Sequence, residues 1–150
     1  MHKTQARRPP KPPKPKGRSH RSRPGYTRAE ALRAEVLHDV GEICSRDPGV
    51  AVNTAISTRA YEAFVDWSDA DSKAQIPQDV SGRLWDVLYA AHRAIRDDAH
   101  GQSSIDFTIA YIPRDGRTRR PRLGLLKVVH GFDRHNAVLT ILLPDEYEPE

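Results

Sequence analysis

Between residues 27 and 98 the apolar side chains recur at helical spacing and predict three helices. The first begins at Thr27, where the order Thr-Arg-Ala-Glu has the form of a capping box. The second begins at Ser57 and continues through Trp67. The third is expected over residues 81–98, because apolar residues at positions i, i+4, i+7 and i+11 share one face of a helix. These residues are Leu84, Leu88, Ala91 and Ile95.

From residue 105 onward the pattern changes to alternation, which predicts strands. Residues 105–111 alternate apolar and polar side chains, as in a strand with one buried face. Two further strands are expected at 123–130 and 137–143, separated by a loop at Gly131–Asn136. The apolar segment 50–56 predicts a short strand or an extended entry segment. Since short connections join the last three strands, the sequence predicts an α+β domain with about three N-terminal helices packed on a three-stranded antiparallel meander.

The first 25 residues differ in composition from the rest of the chain. They hold six of the 12 prolines and nine of the 24 Lys and Arg, with no acidic residue and no Val, Ile, Leu, Phe, Trp or Tyr. Without such side chains to bury, the segment cannot offset the cost of ordering its backbone, about 1–2 kcal/mol per residue. We therefore expect residues 1–25 to be a disordered arm and residues 26–150 to be a single α+β domain.

Charge is divided unequally between these two parts. The arm carries +9, whereas the other 15 bases are outnumbered by 20 acids, which gives the domain −5. Clustered Lys and Arg displace counterions from a polyanion, so the arm is a candidate for phosphate contacts that do not read sequence. Its candidate residues are Lys11, Lys14, Lys16, Arg18, Arg21 and Arg23. The alternatives are a solubilising tail or linker and a proline-rich ligand for an aromatic groove.

A second basic cluster lies in the connection between the first two strands of the meander. Five arginines occur there within nine residues: Arg114, Arg117, Arg119, Arg120 and Arg122. The planar guanidinium group suits phosphate and carboxylate, so a projecting hairpin of this composition is a candidate grip on a nucleic-acid backbone. The alternative is a solvated connection whose arginines pair with acids of the domain, such as Asp145 and Glu146.

The polar segment between residues 75 and 86 precedes and enters the third helix. It is interpreted either as a recognition surface or as a capping network. In the second interpretation Asp79 or Ser81 accepts hydrogen bonds from the first N–H groups of the helix. Trp85 is expected to belong to the core.

The sequence favours a protein without enzymatic activity, with an enzyme as the alternative. His130 and His92 are weak candidates for a general acid and base, such as a metal-independent ribonuclease uses. No motif for a metal, a nucleotide phosphate or an activated serine occurs, so no metal site and no cofactor are predicted. The single cysteine, Cys44, cannot form an internal disulfide. No apolar run is long enough to span a membrane and no secretory signal is recognisable, so a cytoplasmic protein is expected.

Three stretches of the domain carry a resemblance to known sequences. They are Tyr-Thr-Arg-Ala-Glu-Ala at 26–31, Ser-Gly-Arg-Leu-Trp-Asp-Val-Leu at 81–88 and Pro-Arg-Asp-Gly-Arg at 113–117. From Tyr26 onward the chain resembles a family of small proteins encoded in bacterial, plasmid and phage genomes. That family has no established activity, so the resemblance implies a mobile-element setting and no catalytic residue.

These observations lead to one main functional hypothesis and two alternatives. The main hypothesis is a non-enzymatic binding module, a phage or plasmid accessory protein. It would contact nucleic acid or a host nucleoprotein complex, such as a defence complex, through the basic arm and the arginine-rich hairpin. The first alternative is a small metal-independent nuclease or toxin-like enzyme. The second is an adaptor whose acidic domain binds other proteins. No membrane partner is predicted.

Overall fold

The structure is a computed structural model that describes residues 28–33, 37–40 and 53–147, without the side chains of Arg33 and Asp133. Its helices are α1 (Arg28–Arg33), α2 (Thr58–Phe64), α3 (Asp69–Ala74) and α4 (Val80–Asp97). Its strands are β1 (Leu37–Asp39), β2 (Asn53–Ser57), β3 (Ser104–Tyr111), β4 (Arg122–Asp133) and β5 (Asn136–Leu142), and a 3-10 turn follows at Pro144–Glu146. The disordered arm predicted for residues 1–25 lies outside the described residues.

The strands form one mixed sheet in the order β1-β2-β5-β4-β3. Neighbouring strands are antiparallel except β2 and β5, which are parallel.

The fold is α+β, but the prediction of a three-stranded antiparallel meander behind N-terminal helices is wrong. Strands β3, β4 and β5 do pair in chain order, and β1 and β2 extend the sheet beyond β5. Parallel strands need a long crossover, and here α2, α3, α4, β3 and β4 all lie between β2 and β5 in the chain.

The structure differs from the sequence pattern at two further places. Helix α1 covers Arg28–Arg33, and Leu37–Asp39 form β1, after which Val40 donates its N–H to the Thr54 carbonyl at 2.9 Å. The loop predicted at Gly131–Asn136 is instead the end of β4, a two-residue turn at Arg134 and His135, and the start of β5. Arg134 adopts a positive φ of 57°, which closes this tight hairpin.

The main core lies between one face of the sheet and helices α2 and α4. Leu84, Val87, Leu88 and Ala91 are the buried apolar residues of α4, which confirms the face predicted for the third helix in its first three turns. They belong to one cluster with buried side chains of β3, β4 and β5. Trp85 is partly buried against this core and stacks on Tyr89. Apolar contact therefore holds α4 against β3, the strand that leads into the hairpin between β3 and β4.

A smaller cluster covers part of the opposite face of the sheet. Ala31 of α1 packs there with Leu37 and Ala55. Arg28 extends from the same helix across to β5, where it donates to the Leu139 carbonyl at 3.1 Å and to the Thr140 hydroxyl. Helix α1 is thereby attached to the strand that pairs parallel with β2.

Side-chain caps determine where the helices begin. Ser57 caps α2 by accepting from the Ala60 N–H, and its hydroxyl donates to Glu146 Oε2 at 2.6 Å. Ser68 and Asp71 form a capping box for α3. Asp79, rather than Ser81, caps α4 by accepting from the Gly82 N–H at 2.6 Å. These caps therefore fix the first turns of α2, α3 and α4.

Replacing Ser57 with alanine tests how much this capping stabilises the fold. The substitution removes the cap of α2 and a donor to the Glu146 carboxylate at a fully buried position. We expect the free energy of unfolding, measured by urea denaturation, to fall by about 2 kcal/mol. Ser81→Ala is the matched control, because that exposed serine is not the cap, and it should change stability by less than about 0.5 kcal/mol. Equal effects of the two substitutions would contradict this account.

Candidate functional site

The hairpin loop between β3 and β4, residues 112–121, is organised by one carboxylate. Asp115 Oδ1 accepts from the N–H groups of Arg117 at 2.9 Å and Thr118 at 2.7 Å, and its Oδ2 accepts from the Thr118 hydroxyl. The hydrogen bond from the Thr118 side chain, followed by those from the backbone of Thr118 and Arg117, lowers the pKa of Asp115 to about 2. Gly116 adopts a φ of 74°, a conformation that glycine tolerates best. The turn therefore has a defined shape.

A buried glutamine at the end of α3 forms hydrogen bonds with several backbone groups of the loop. Gln75 is 4% exposed, and its Nε2 donates to the carbonyls of Pro113 at 2.7 Å and Thr118 at 2.6 Å, with Asp115 Oδ1 at 3.2 Å. Its Oε1 accepts from the Gly116 N–H at 3.1 Å. One amide thus bonds both sides of the loop. The sequence placed Gln75 in a polar segment but carried no local signal for this role.

The first arginine of the cluster is paired within the domain. Arg114 donates through Nε to Asp71 at 2.6 Å and through Nη1 to Asp66 at 2.8 Å. The hydrogen bond to Asp71 is the main reason why the pKa of Arg114 is raised. Burial opposes ionisation of Asp71, but its hydrogen bonds with Ser68 and Arg114 outweigh burial and lower its pKa. Arg114 therefore anchors the hairpin to α3.

The other four arginines project from the anchored hairpin. Arg117, Arg119, Arg120 and Arg122 are exposed, and within the described part of the chain their guanidinium groups make no hydrogen bond or ion pair. Asp145 and Glu146, the acids that the sequence offered as partners, bond elsewhere, to Arg59 at 2.9 Å and to Ser57. The hairpin thus presents four exposed cations that form no ion pair among the described residues, and the charge of Arg122 also helps to lower the pKa of Asp115.

The remaining predicted site residues are not brought to this hairpin. The arm residues Lys11, Lys14, Lys16, Arg18, Arg21 and Arg23 lie outside the described residues. His92 lies on α4 and His130 on β4, where its ring is 6.3 Å from that of Phe132. In the part of the chain that the structure describes, neither imidazole has a hydrogen-bond partner, and no group of three His, Cys, Asp or Glu is placed to hold a metal ion.

A pocket of about 470 Å³ lies beside the hairpin, between its base and the start of α4. Its apolar wall includes Tyr111, Ile112 and Pro121. Its polar lining consists of Gln78, Asp79, Arg83 and Asp86. Pro121 belongs both to the pocket and to the arginine-rich loop, so the two features are continuous.

Arg83 is a buried residue at the edge of the pocket, and its hydrogen bonds connect neighbouring segments of the chain. It is 5% exposed, and it donates to the carbonyls of Val65 at 3.1 Å and Ile112 at 2.8 Å and to Gln78 Oε1 at 3.0 Å. Its guanidinium carbon lies 4.6 Å from the centre of the Trp67 ring, and burial lowers the pKa of Arg83. Sequence reasoning missed this role, because arginine is rarely buried.

Comparisons with known proteins add no relative. A scan against protein-family models, a search of curated proteins and a search of solved structures each found no match. The resemblance to phage and plasmid proteins therefore stays a prediction. Within residues 28–33, 37–40 and 53–147, none of the helices combines the length and apolar character of a membrane span.

The hydrogen bond from Thr118 to Asp115 predicts a measurable titration. Because the folded pKa of about 2 lies below the ordinary value of about 3.9, the carboxylate stabilises the turn above pH 4 and loses this effect as the pH falls toward 2. An NMR titration of the Asp115 carboxyl carbon should give a midpoint near pH 2. In Thr118→Val, which removes the largest cause of the shift, the midpoint should move toward 3.9. The same midpoint in both proteins would contradict the assignment.

Proposed function

We propose that this protein is a non-enzymatic binding module that contacts the phosphate backbone of nucleic acid through Arg117, Arg119, Arg120 and Arg122. One observation carries the proposal. Four exposed guanidinium groups, which form no ion pair among the described residues, lie on a hairpin whose loop is bonded to Gln75. Exposed guanidinium groups that form no ion pair can bind phosphate by charge-assisted hydrogen bonds.

The charge distribution supports a specific contact surface on the domain. Residues 26–150 carry −5, so a polyanion would be repelled by most of the domain surface. The hairpin concentrates positive charge at one place, and the repulsion elsewhere favours one orientation of the bound strand. Phosphate contacts of this kind position a nucleic acid without reading its sequence.

The anchoring of the hairpin supports binding at a low entropic cost. Gln75, Asp115 and the Arg114 ion pairs fix the backbone of the loop before any ligand arrives. A loop that is already ordered loses less conformational freedom on binding than a mobile one. The cations of residues 1–25, which belong to the same chain, would add further phosphate contacts at a high effective concentration.

The biological setting proposed for this module is the one that the predicted resemblance to phage and plasmid proteins implies. We propose that it acts as an accessory protein of a mobile element. Its target would then be a nucleic acid, either alone or within a host nucleoprotein complex such as a defence complex.

Replacing the four hairpin arginines with glutamine tests the proposed contact. The full-length variant should bind single-stranded nucleic acid at least tenfold more weakly at low salt, as measured by fluorescence anisotropy. The slope of log affinity against log salt concentration should fall by up to about 3, since each lost phosphate contact with a single strand contributes roughly 0.7.

The control removes the same amount of positive charge from other places on the surface. Lys73, Arg93, Arg96 and Arg134 are exposed residues outside the hairpin. Their replacement by glutamine should lower affinity much less than the hairpin variant does. Equal losses in the two variants would show that only net charge matters, and no binding by the intact protein would overturn the proposed function.

A further inference from the structure

The pocket beside the hairpin has the size and lining of a ligand site. Its volume of about 470 Å³ falls within the range of small-molecule sites, about 300–1,000 Å³. Apolar side chains line one side and a few polar groups line the other. A strand that lay along the hairpin arginines would pass the mouth of this pocket, because Pro121 lies between Arg120 and Arg122 and lines the pocket as well.

The polar side of the pocket offers a donor held in a known orientation. Arg83 can only donate, so its bond to Gln78 fixes the oxygen of that amide toward Arg83. The amide nitrogen of Gln78 has no acceptor among the described residues. Gln78 therefore presents N–H groups to a ligand, and Arg83 acts as its positioning residue.

The same side offers an acceptor in the carboxylate of Asp86. This residue is exposed on α4 and, among the described residues, has no hydrogen bond or ion pair. Asp79, the other carboxylate of the lining, already accepts from the Gly82 N–H as the cap of α4. Asp86 is thus the carboxylate that a ligand would meet with both oxygens available.

The charges of the pocket favour a donor-rich neutral group over a phosphate. Two carboxylates and one guanidinium group line it. Arg83 directs its Nε and Nη1 at two carbonyls and Gln78, and its Nη2 is buried without a hydrogen-bond partner among the described residues. A phosphate would face net repulsion there, whereas a group with N–H donors would be attracted. The hairpin arginines outside the pocket have the opposite preference, so the two surfaces suit different parts of one nucleotide.

The apolar side provides a flat aromatic surface. Tyr111 is partly exposed, and its ring lies 4.3 Å from that of Phe64. A Cβ at Gly124 would clash with both rings, so the glycine in β4 allows this placement. Unstacked bases pack on aromatic side chains of this kind.

We propose that the pocket takes one unstacked base of the bound strand, with a preference for guanine. This inference rests on the proposed function. Guanine offers its O6 acceptor to Gln78 and two adjacent donors, N1–H and N2–H₂, to the Asp86 carboxylate. Adenine, cytosine, thymine and uracil lack two adjacent donors on that edge, so none of them can satisfy both carboxylate oxygens.

Full-length protein and short oligothymidine strands test the base preference. One strand has a single guanine at its centre, and the comparison strands have adenine, cytosine or thymine there. Wild-type protein should bind the guanine strand about tenfold more tightly by fluorescence anisotropy, the discrimination of one good bidentate contact. Asp86→Asn should lose this preference and keep its affinity for the all-thymine strand. Asp97→Asn, the same charge change at an exposed position of α4 outside the pocket, should keep the preference.

The outcomes separate this inference from the proposed function. Equal wild-type affinity for all four strands, with binding still dependent on the hairpin arginines, would overturn the base pocket alone. A guanine preference that persists in Asp86→Asn would overturn the assignment of Asp86. Absence of wild-type binding to every strand would overturn both proposals.

Discussion

The amide of Gln75 is the interaction on which the candidate site depends. It bonds the Pro113 and Thr118 carbonyls and the Gly116 N–H, and so joins the two sides of the hairpin loop to the end of α3. A buried amide with both ends satisfied stabilises one loop conformation, because any other conformation leaves polar groups buried without partners. The loop arginines Arg117, Arg119 and Arg120 extend from a backbone held in that conformation, and Arg122 follows them where β4 pairs with Tyr111 of β3.

Local patterns in the sequence predicted the elements that depend on local interactions. The i, i+4, i+7 spacing of Leu84, Leu88 and Ala91 predicted α4, and the alternation at 105–111 predicted β3. The sheet order was not predicted, because β2 pairs with β5 across more than eighty residues of chain, and no local pattern encodes such a partner. Strand β1 has three residues, which are too few for its alternation of apolar and polar side chains to be told from the helical spacing before it.

The candidate site was predicted in composition but not in structure. The sequence alone shows five arginines within nine residues. It does not show the partners of Arg114, because they lie 43 and 48 residues away in the chain. The burial of Arg83 was equally hidden, since its carbonyl partners come from two other segments, at Val65 and Ile112. The structure therefore separates the arginines that are bonded within the domain, Arg83 and Arg114, from those that face solvent.

Hydrogen exchange at the Gly116 amide tests the central claim, that Gln75 holds the hairpin in one conformation, most directly. The Gly116 N–H donates to Gln75 Oε1, so the account predicts slow exchange in the full-length protein and fast exchange in Gln75→Ala. The exposed Gln102 is a matched control, and Gln102→Ala should leave the Gly116 rate unchanged. Exchange of the wild-type Gly116 amide at the rate of an unstructured peptide would contradict the account.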